Sequence, residues 1–405
     1  MKVLHTSDWH LGQQFYEHDR VREHQYFLDW LVETLRTERI DLLLVAGDIY
    51  HTATPPSSAE QQLYQFIKQA KQACPELHIV IIAGNHDSAN RIETAKPLLK
   101  QFDTHVIGRY DKALPESCLI NVKTANGKAQ VVAMPFLRPA DVTLDTQNDK
   151  AYQQGVAQAY QSIVALCDDE AAPIIVMGHL HAKGGTISED SERNISIGGF
   201  DAVTAEVFTD KADYVALGHL HKAQVVAKCD AKRYCGTPMP MSFSEKNYQH
   251  QVLVCEFNGK TCESVNPLYT PRLRELIVLP EKGGADIESL CAAVEQLDLA
   301  DYQASPYLRL RLNASETDSQ FREKISTSLK NKDILFCGIE RVQDTQVQDD
   351  EVIFQDLGQV EKLNPLDLLE LVYKQQVDTE QALPENLADC LAEVLIDMEE
   401  EEQRA

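Results

Sequence analysis

Asp8-Trp9-His10, Gly47-Asp48, Gly84-Asn85-His86-Asp87, Gly178-His179 and Gly218-His219-Leu220-His221 each place metal-binding side chains directly after a short apolar run. Carboxylate, amide oxygen and imidazole are the donors that divalent first-row ions accept, and the five segments contain no thiolate of the kind a structural zinc site uses. Any one segment alone is weak: an isolated Asp-x-His is more often a turn, and an isolated Gly-Asp says nothing. Together they supply enough ligands for two ions. Two ions about 3.5–4 Å apart stabilise both the attacking and the leaving oxygen of an in-line displacement at phosphorus. Asp48 is the natural bridging ligand, because Gly47 before it lets the backbone come close. Asp8 and His10 are alternate residues and point the same way if the turn stays extended. Asn85, His179, His219 and His221 complete the expected ligand set. His86 is left to face the substrate, where it would hydrogen-bond the phosphoryl oxygens or protonate the leaving oxygen. Asp87 would orient that imidazole. His5, His24, His51, His78, His105 and His250 are expected outside the site, and His181, which repeats the spacing of His221, is a candidate for substrate contact only.

Positioning these residues requires strands that end at one place. Val3–His5, Asp41–Ala46, His78–Ala83, Val131–Met134, Ile174–Met177 and Tyr214–Leu217 read as strands buried on both faces. Between the early ones, Val21–Arg36 aligns Phe27, Leu28, Leu31 and Leu35 on one helical stripe, and Ser57–Lys71 aligns Leu63, Phe66, Ile67 and Ala70 on another. Strand–helix alternation predicts an α/β layered fold, and ligands of such sheets bind beyond the carboxyl ends of the strands. Every one of the metal-binding segments sits at such an end.

The chain has 405 residues, which favours two or three domains. Three are expected: a catalytic domain over 1–270, a small α+β unit over 271–348 that caps the site, and an acidic segment over 349–405. In the small unit Glu275–Leu279, Tyr307–Leu312 and Ile334–Val342 read as strands and Ile287–Leu297 as a helix. The last segment, from Asp350 on, carries 16 acidic residues against 3 basic ones. Helix starts at Asn364-Pro365 and near Pro384 precede the apolar stripes Leu366, Leu369, Val372/Tyr373 and Leu387, Leu391, Val394, Leu395, Met398. Two amphipathic helices with acidic outer faces suit a docking element.

Net charge is −25 at pH 7, which argues against tight nucleic-acid binding by this chain unaided. The ten cysteines form no CxxC pair, as expected of thiols in a reducing cytoplasm. No apolar run approaches the ~20 residues of a membrane span, and the opening residues do not read as a secretory leader. A soluble cytoplasmic protein is expected.

The five segments, in this order, resemble the calcineurin-like metallophosphoesterase superfamily. Within it the opening His5-Thr6-Ser7-Asp8-Trp9-His10-Leu11-Gly12, and the stretch Tyr234-Cys235-Gly236-Thr237-Pro238-Met239-Pro240-Met241-Ser242-Phe243 ahead of Glu245, look like the nuclease-subunit family of bacterial SbcC–SbcD complexes. The resemblance covers nearly the whole chain and is weakest in the tail. It implies a four-layered β-sandwich flanked by helices, a capping domain and a C-terminal helical segment that binds an SbcC-type coiled-coil ATPase, in an assembly of two nuclease and two ATPase subunits. It further implies that Asp8, His10, Asp48 and His221 hold one Mn²⁺ and Asp48, Asn85, His179 and His219 the other, with Mg²⁺ serving in part. His86 would contact the scissile phosphate with Asp87 behind it. The implied activities are ATP-dependent exonuclease on double-stranded DNA ends, endonuclease on single strands and hairpin opening. Homodimerisation is implied too, with helices near 57–71 and 91–102 as the candidates.

Two other enzyme classes use the same scaffold. A protein phosphatase would carry an arginine soon after Gly47-Asp48, where Ile49, Tyr50, His51 and Thr52 stand instead. A small-molecule phosphodiesterase would need neither a capping unit nor a docking tail. A scaffold that had lost its chemistry would lack ligands, and none is missing.

Overall fold

The computed structural model describes residues 1–343 apart from 146–147, 169, 184, 187–202, 209 and 317–319. The helices expected near 364–373 and 384–398 lie outside the described residues.

Two six-stranded sheets stack face to face. The first runs, edge to edge, Thr261–Tyr269, Gln251–Asn258, Lys2–Thr6, Leu42–Ala46, His78–Ile82 and Thr104–Ile107. Its last four strands are parallel, while Gln251–Asn258 pairs antiparallel with Lys2–Thr6. The second runs Gln224–Val226, Cys229–Tyr234, Tyr214–Gly218, Ile174–His179, Gly127–Ala133 and Leu119–Thr124, with a parallel centre.

Alternation along each strand divides the core. Val3, Leu42, Leu44, Ala46, Val80 and Ile82 pack against the second sheet. Their neighbours Leu4, Leu43, Val45, Ile79 and Ile81 pack on the helices Val21–Thr37 and Ser57–Ala73. The helix Asp149–Val164 covers the second sheet with Val156, Ala159, Tyr160 and Ile163. The order is therefore helix, sheet, sheet, helix. Each fully buried leucine or phenylalanine contributes about 1.5–3 kcal/mol, and strands apolar on both faces are what a sheet sandwiched this way requires.

The stripe on Ser57–Ala73 corrects one expectation. Leu63, Phe66, Ile67 and Ala70 are buried in the chain's own core, with Phe66 edge-on to Trp9 at 5.1 Å, so the apolar stripe of this candidate helix packs inside the chain and only its other faces are open to a second copy. The 91–102 stretch is not one helix but three short turns, Ala89–Ile92, Lys96–Leu99 and Lys100–Phe102.

The small unit is a three-stranded parallel sheet of Leu276–Leu279, Tyr307–Asn313 and Leu335–Val342. Leu308, Leu310 and Leu312 face the helices Ile287–Gln296 and Phe321–Leu329. Asp286 caps the first of these helices by accepting from the Ser289 N–H at 2.8 Å. The opposite face presents Leu276, Val278 and Tyr307 to Phe15 and Phe243 of the main body.

Candidate metal centre

Five parallel strands from the two sheets end at one place. Lys2–Thr6 leads into Asp8 and His10, Leu42–Ala46 into Asp48, and His78–Ile82 into Asn85, His86 and Asp87. Ile174–His179 ends on His179, and Tyr214–Gly218 leads into His219 and His221. Bringing two sheets' ends this close leaves no room for side chains at the turn glycines. A Cβ on Gly47, whose φ is +89°, would lie 2.3 Å from His179 Nδ1, and one on Gly84 would lie 2.1 Å from Asp48 Oδ1. Asp8, His10, Asp48 and His219 themselves hold positive φ. Such conformations are uncommon outside glycine and cluster at functional sites. Positive φ also replaces the extended turn expected for Asp8 and His10.

Asp48 is central and 2% exposed. Its Oδ2 lies 3.3 Å from His179 Nε2, 3.8 Å from His10 Nε2 and 4.0 Å from His86 Nε2. Its Oδ1 accepts the His86 backbone N–H at 2.9 Å. Asp8 accepts the His219 N–H at 3.1 Å and the Ser7 hydroxyl. Asp8, His10 and His221 offer ligand atoms within 4.8 Å of one another, as do Asp8, Asp48 and His179.

The donor chemistry fits cations. His179 Nδ1 donates to the Ala46 carbonyl at 2.9 Å, so Nε2 is the ligand nitrogen. That Nε2 faces two oxygens, Asn85 Oδ1 at 2.9 Å and Asp48 Oδ2. Burial alone would lower the His179 pKa, yet the Asp48 charge and hydrogen bond carry it up to about 9. The lone pairs of these three residues thus converge on one point, as the ligands of a cation do. His10 is 3% exposed with neither ring nitrogen hydrogen-bonded. Burial holds His10 and His219 well below the usual histidine range, leaving both imidazoles neutral, the form that ligates metal. A buried imidazole without partners is costly unless something binds it.

Three residues sit differently from expectation. The His86 imidazole is held by the His51 carbonyl, which accepts from Nδ1 at 2.7 Å. Asp87 does not hold it: its carboxylate accepts backbone N–H groups from Gly84 (2.8 Å), Tyr50 (2.9 Å) and Ile49 (3.1 Å), tying the 47–50 turn to the 84–87 turn. Burial and the nearby Asp48 charge push the Asp87 carboxyl up to about 7. His51, expected outside the site, is inside it: its ring lies 5.5 Å from that of His10 and 5.6 Å from that of His86, and the three offer ligand atoms within 4.8 Å of one another. Standing beside Tyr50 in no recognised spacing, it carried no sequence signal beyond its nearness to Asp48. His181 lies 6.4 Å from His219, ring to ring. His5 is structural, bonded to Tyr214 OH and the Leu217 carbonyl.

Known proteins place this arrangement. Residues 1–223 match the family profile described as Calcineurin-like phosphoesterase, which defines the class as metallophosphoesterase. Residues 272–377 match a profile described as Type 5 capsule protein repressor C-terminal domain. Among curated proteins, the SbcD subunit of the nuclease SbcCD from Escherichia coli (strain K12) is 34% identical over 342 residues, 80% of this chain and 81% of that one. Its counterpart from Rhodobacter capsulatus is 34% identical over 354 residues, 84% and 87% of the two chains. That of Bacillus subtilis (strain 168) is 34% identical over 264 residues, 63% and 66%. The chain belongs to the SbcD family of calcineurin-like phosphoesterases. It is a metal-dependent phosphodiester hydrolase with nuclease function.

Proposed function

We propose that this chain is the Mn²⁺-dependent nuclease subunit of a complex with an SbcC-type coiled-coil ATPase, acting in DNA recombination, replication and repair. In the complex it would degrade double-stranded ends with ATP, cut single strands and open hairpins. The observation that carries the reading is the approach of His10 and His179 to the same oxygen of Asp48, at 3.8 and 3.3 Å, the position of a bridging ligand. Asp8, His10, Asp48 and His221 would hold one ion, and Asp48, Asn85, His179 and His219 the other. When bound, the ions would supply a nucleophile at neutral pH and offset charge on both in-line oxygens.

The chain's own residues do the rest. His86 keeps its Nδ1 proton on the His51 carbonyl and so presents Nε2 as its working nitrogen. From there it would hydrogen-bond a phosphoryl oxygen or deliver a proton to the leaving oxygen. Asp87 holds the turn on which His86 rides. Residues 1–270 would form the catalytic domain, 271–348 the cap and 349–405 the ATPase-docking segment. An acidic subunit would take much of its DNA grip from the partner, because phosphate contacts dominate DNA affinity. Dimerisation would use the groove between Ser57–Ala73 and residues 95–103, a cavity of about 720 Å³ lined by Tyr64, Lys68, Leu98 and Phe102.

The test is cleavage of single-stranded and hairpin DNA by the purified chain with Mn²⁺, beside Asp48→Ala. Loss of cleavage in the variant is expected. Equal cleavage by both would sink the two-ion reading. Truncation before Asn364 should keep Mn²⁺-dependent cleavage and abolish co-purification with the ATPase; persistent co-purification would place docking elsewhere.

A further inference from the structure

Glu245 is fully buried and reaches the centre from an element that supplies no ligand. Its Oε1 accepts from His221 Nδ1 at 2.8 Å, and its Oε2 accepts the Met241 N–H at 3.0 Å. With Nδ1–H committed to a carboxylate, the tautomer of His221 is fixed and Nε2 becomes the ligand nitrogen. A carboxylate behind a ligand imidazole also raises its basicity and locks its ring.

The short turn Phe243–Glu245 that carries this carboxylate is gripped by the small unit. The Phe243 ring packs on Phe15 and Tyr16, each at 5.4 Å. Arg309, from the central strand of the small sheet, lies 4.8 Å over the Phe243 ring and 4.6 Å over that of Tyr16, and donates to the Tyr16 hydroxyl. Phe15 and Tyr16 follow the His10 turn by only a few residues. One guanidinium of the small unit therefore clamps both segments that lead to the ion expected at Asp8, His10 and His221.

Resting on the two-ion reading above, we propose that Glu245 is a positioning residue for His221 and that the small unit, through Arg309, sets how tightly that one ion is held. The small unit is then not merely a cover but a handle: a force or partner that shifts it loosens one ion and leaves the other in place.

The experiment is Mn²⁺ binding to the full-length chain by calorimetry, with the Mn²⁺ spin-resonance spectrum as a second readout and metal-free melting as the control for fold. Wild type should bind two ions. Glu245→Gln should weaken one of them by about 10–100-fold and leave the other unchanged, and in a His221→Ala background it should have no further effect. Arg309→Ala should weaken the same ion by about 3–10-fold. If Glu245→Gln does not fold, Glu245→Asp, which keeps the charge, should retain part of the affinity. Two ions bound as in wild type by Glu245→Gln, or both weakened alike with a lower metal-free melting midpoint, would refute the positioning role. Wild-type affinity in Arg309→Ala would refute the coupling. A wild-type chain that fails to bind two ions would instead overturn the two-ion reading itself.

Discussion

His86 meets the centre through a single nitrogen. Its Nδ1 donates to the His51 carbonyl, and its Nε2 stands 4.0 Å from Asp48. If His86 acts beside the ligands rather than as one of them, as proposed, it should be removable without emptying the site. His86→Ser is expected to retain both ions in a metal-content assay while cleavage falls by roughly 10²–10⁴; loss of metal would make His86 a ligand. The convergent residues were legible because each follows an apolar run that had to be a strand, and strand ends of an α/β sheet meet. Glu245 was visible as a residue but not as a partner of His221: 24 positions separate them, and a lone glutamate has no signature. The contact of Asp87 was hidden for a related reason. Sequence adjacency suggests that it serves His86, whereas its carboxylate is occupied by three backbone N–H groups from two turns.

Elements were easier to read than the direction in which they face. Period-3.6 spacing located both early helices, and the buried stripes are the ones expected. A stripe shows that a helix has an apolar side, however, not whether that side meets its own sheet or another molecule. On Ser57–Ala73 it meets the sheet. The surface left over is made by residues off the stripe: Tyr64 is 38% exposed, Leu98 63% and Phe102 50%. Leu98→Glu is accordingly expected to convert a dimer into monomers by light scattering, while the unfolding midpoint moves little because the side chain already faces water. An unchanged dimer would remove this groove from consideration. The helix Phe321–Leu329 and the hairpin of Gln251–Asn258 with Thr261–Tyr269 went unmarked. The hairpin leads to no metal-binding residue, and the helix follows no cap signal, its N-cap Gln320 making no side-chain hydrogen bond to the helix.

At the scale of the whole molecule, acid should unfold the protein through its buried neutral histidines. Burial lowers His5 to about 3 and His250 to about 4, against roughly 6.5 in an unfolded chain. Both folded values are depressed, so the stabilisation is full above about pH 6.5 and is lost as pH falls toward 4 and then 3. Each group is worth a few kcal/mol, on the order of 1.4 per pH unit. The urea midpoint of metal-free protein should drop steadily between pH 7 and 4.5, less steeply in His250→Gln; a flat profile would count against this account. No described helix is long and apolar enough to cross a membrane. The first sheet mixes antiparallel and parallel pairing around its first strand. Its inner strand Lys2–Thr6 is clasped by Gln251–Asn258, with Lys2 opposite Glu256, and the Asp8 carbonyl is held by the Thr237 hydroxyl at 3.0 Å. Lys2–Thr6 must therefore wait for a strand synthesised long after it before the first sheet is complete.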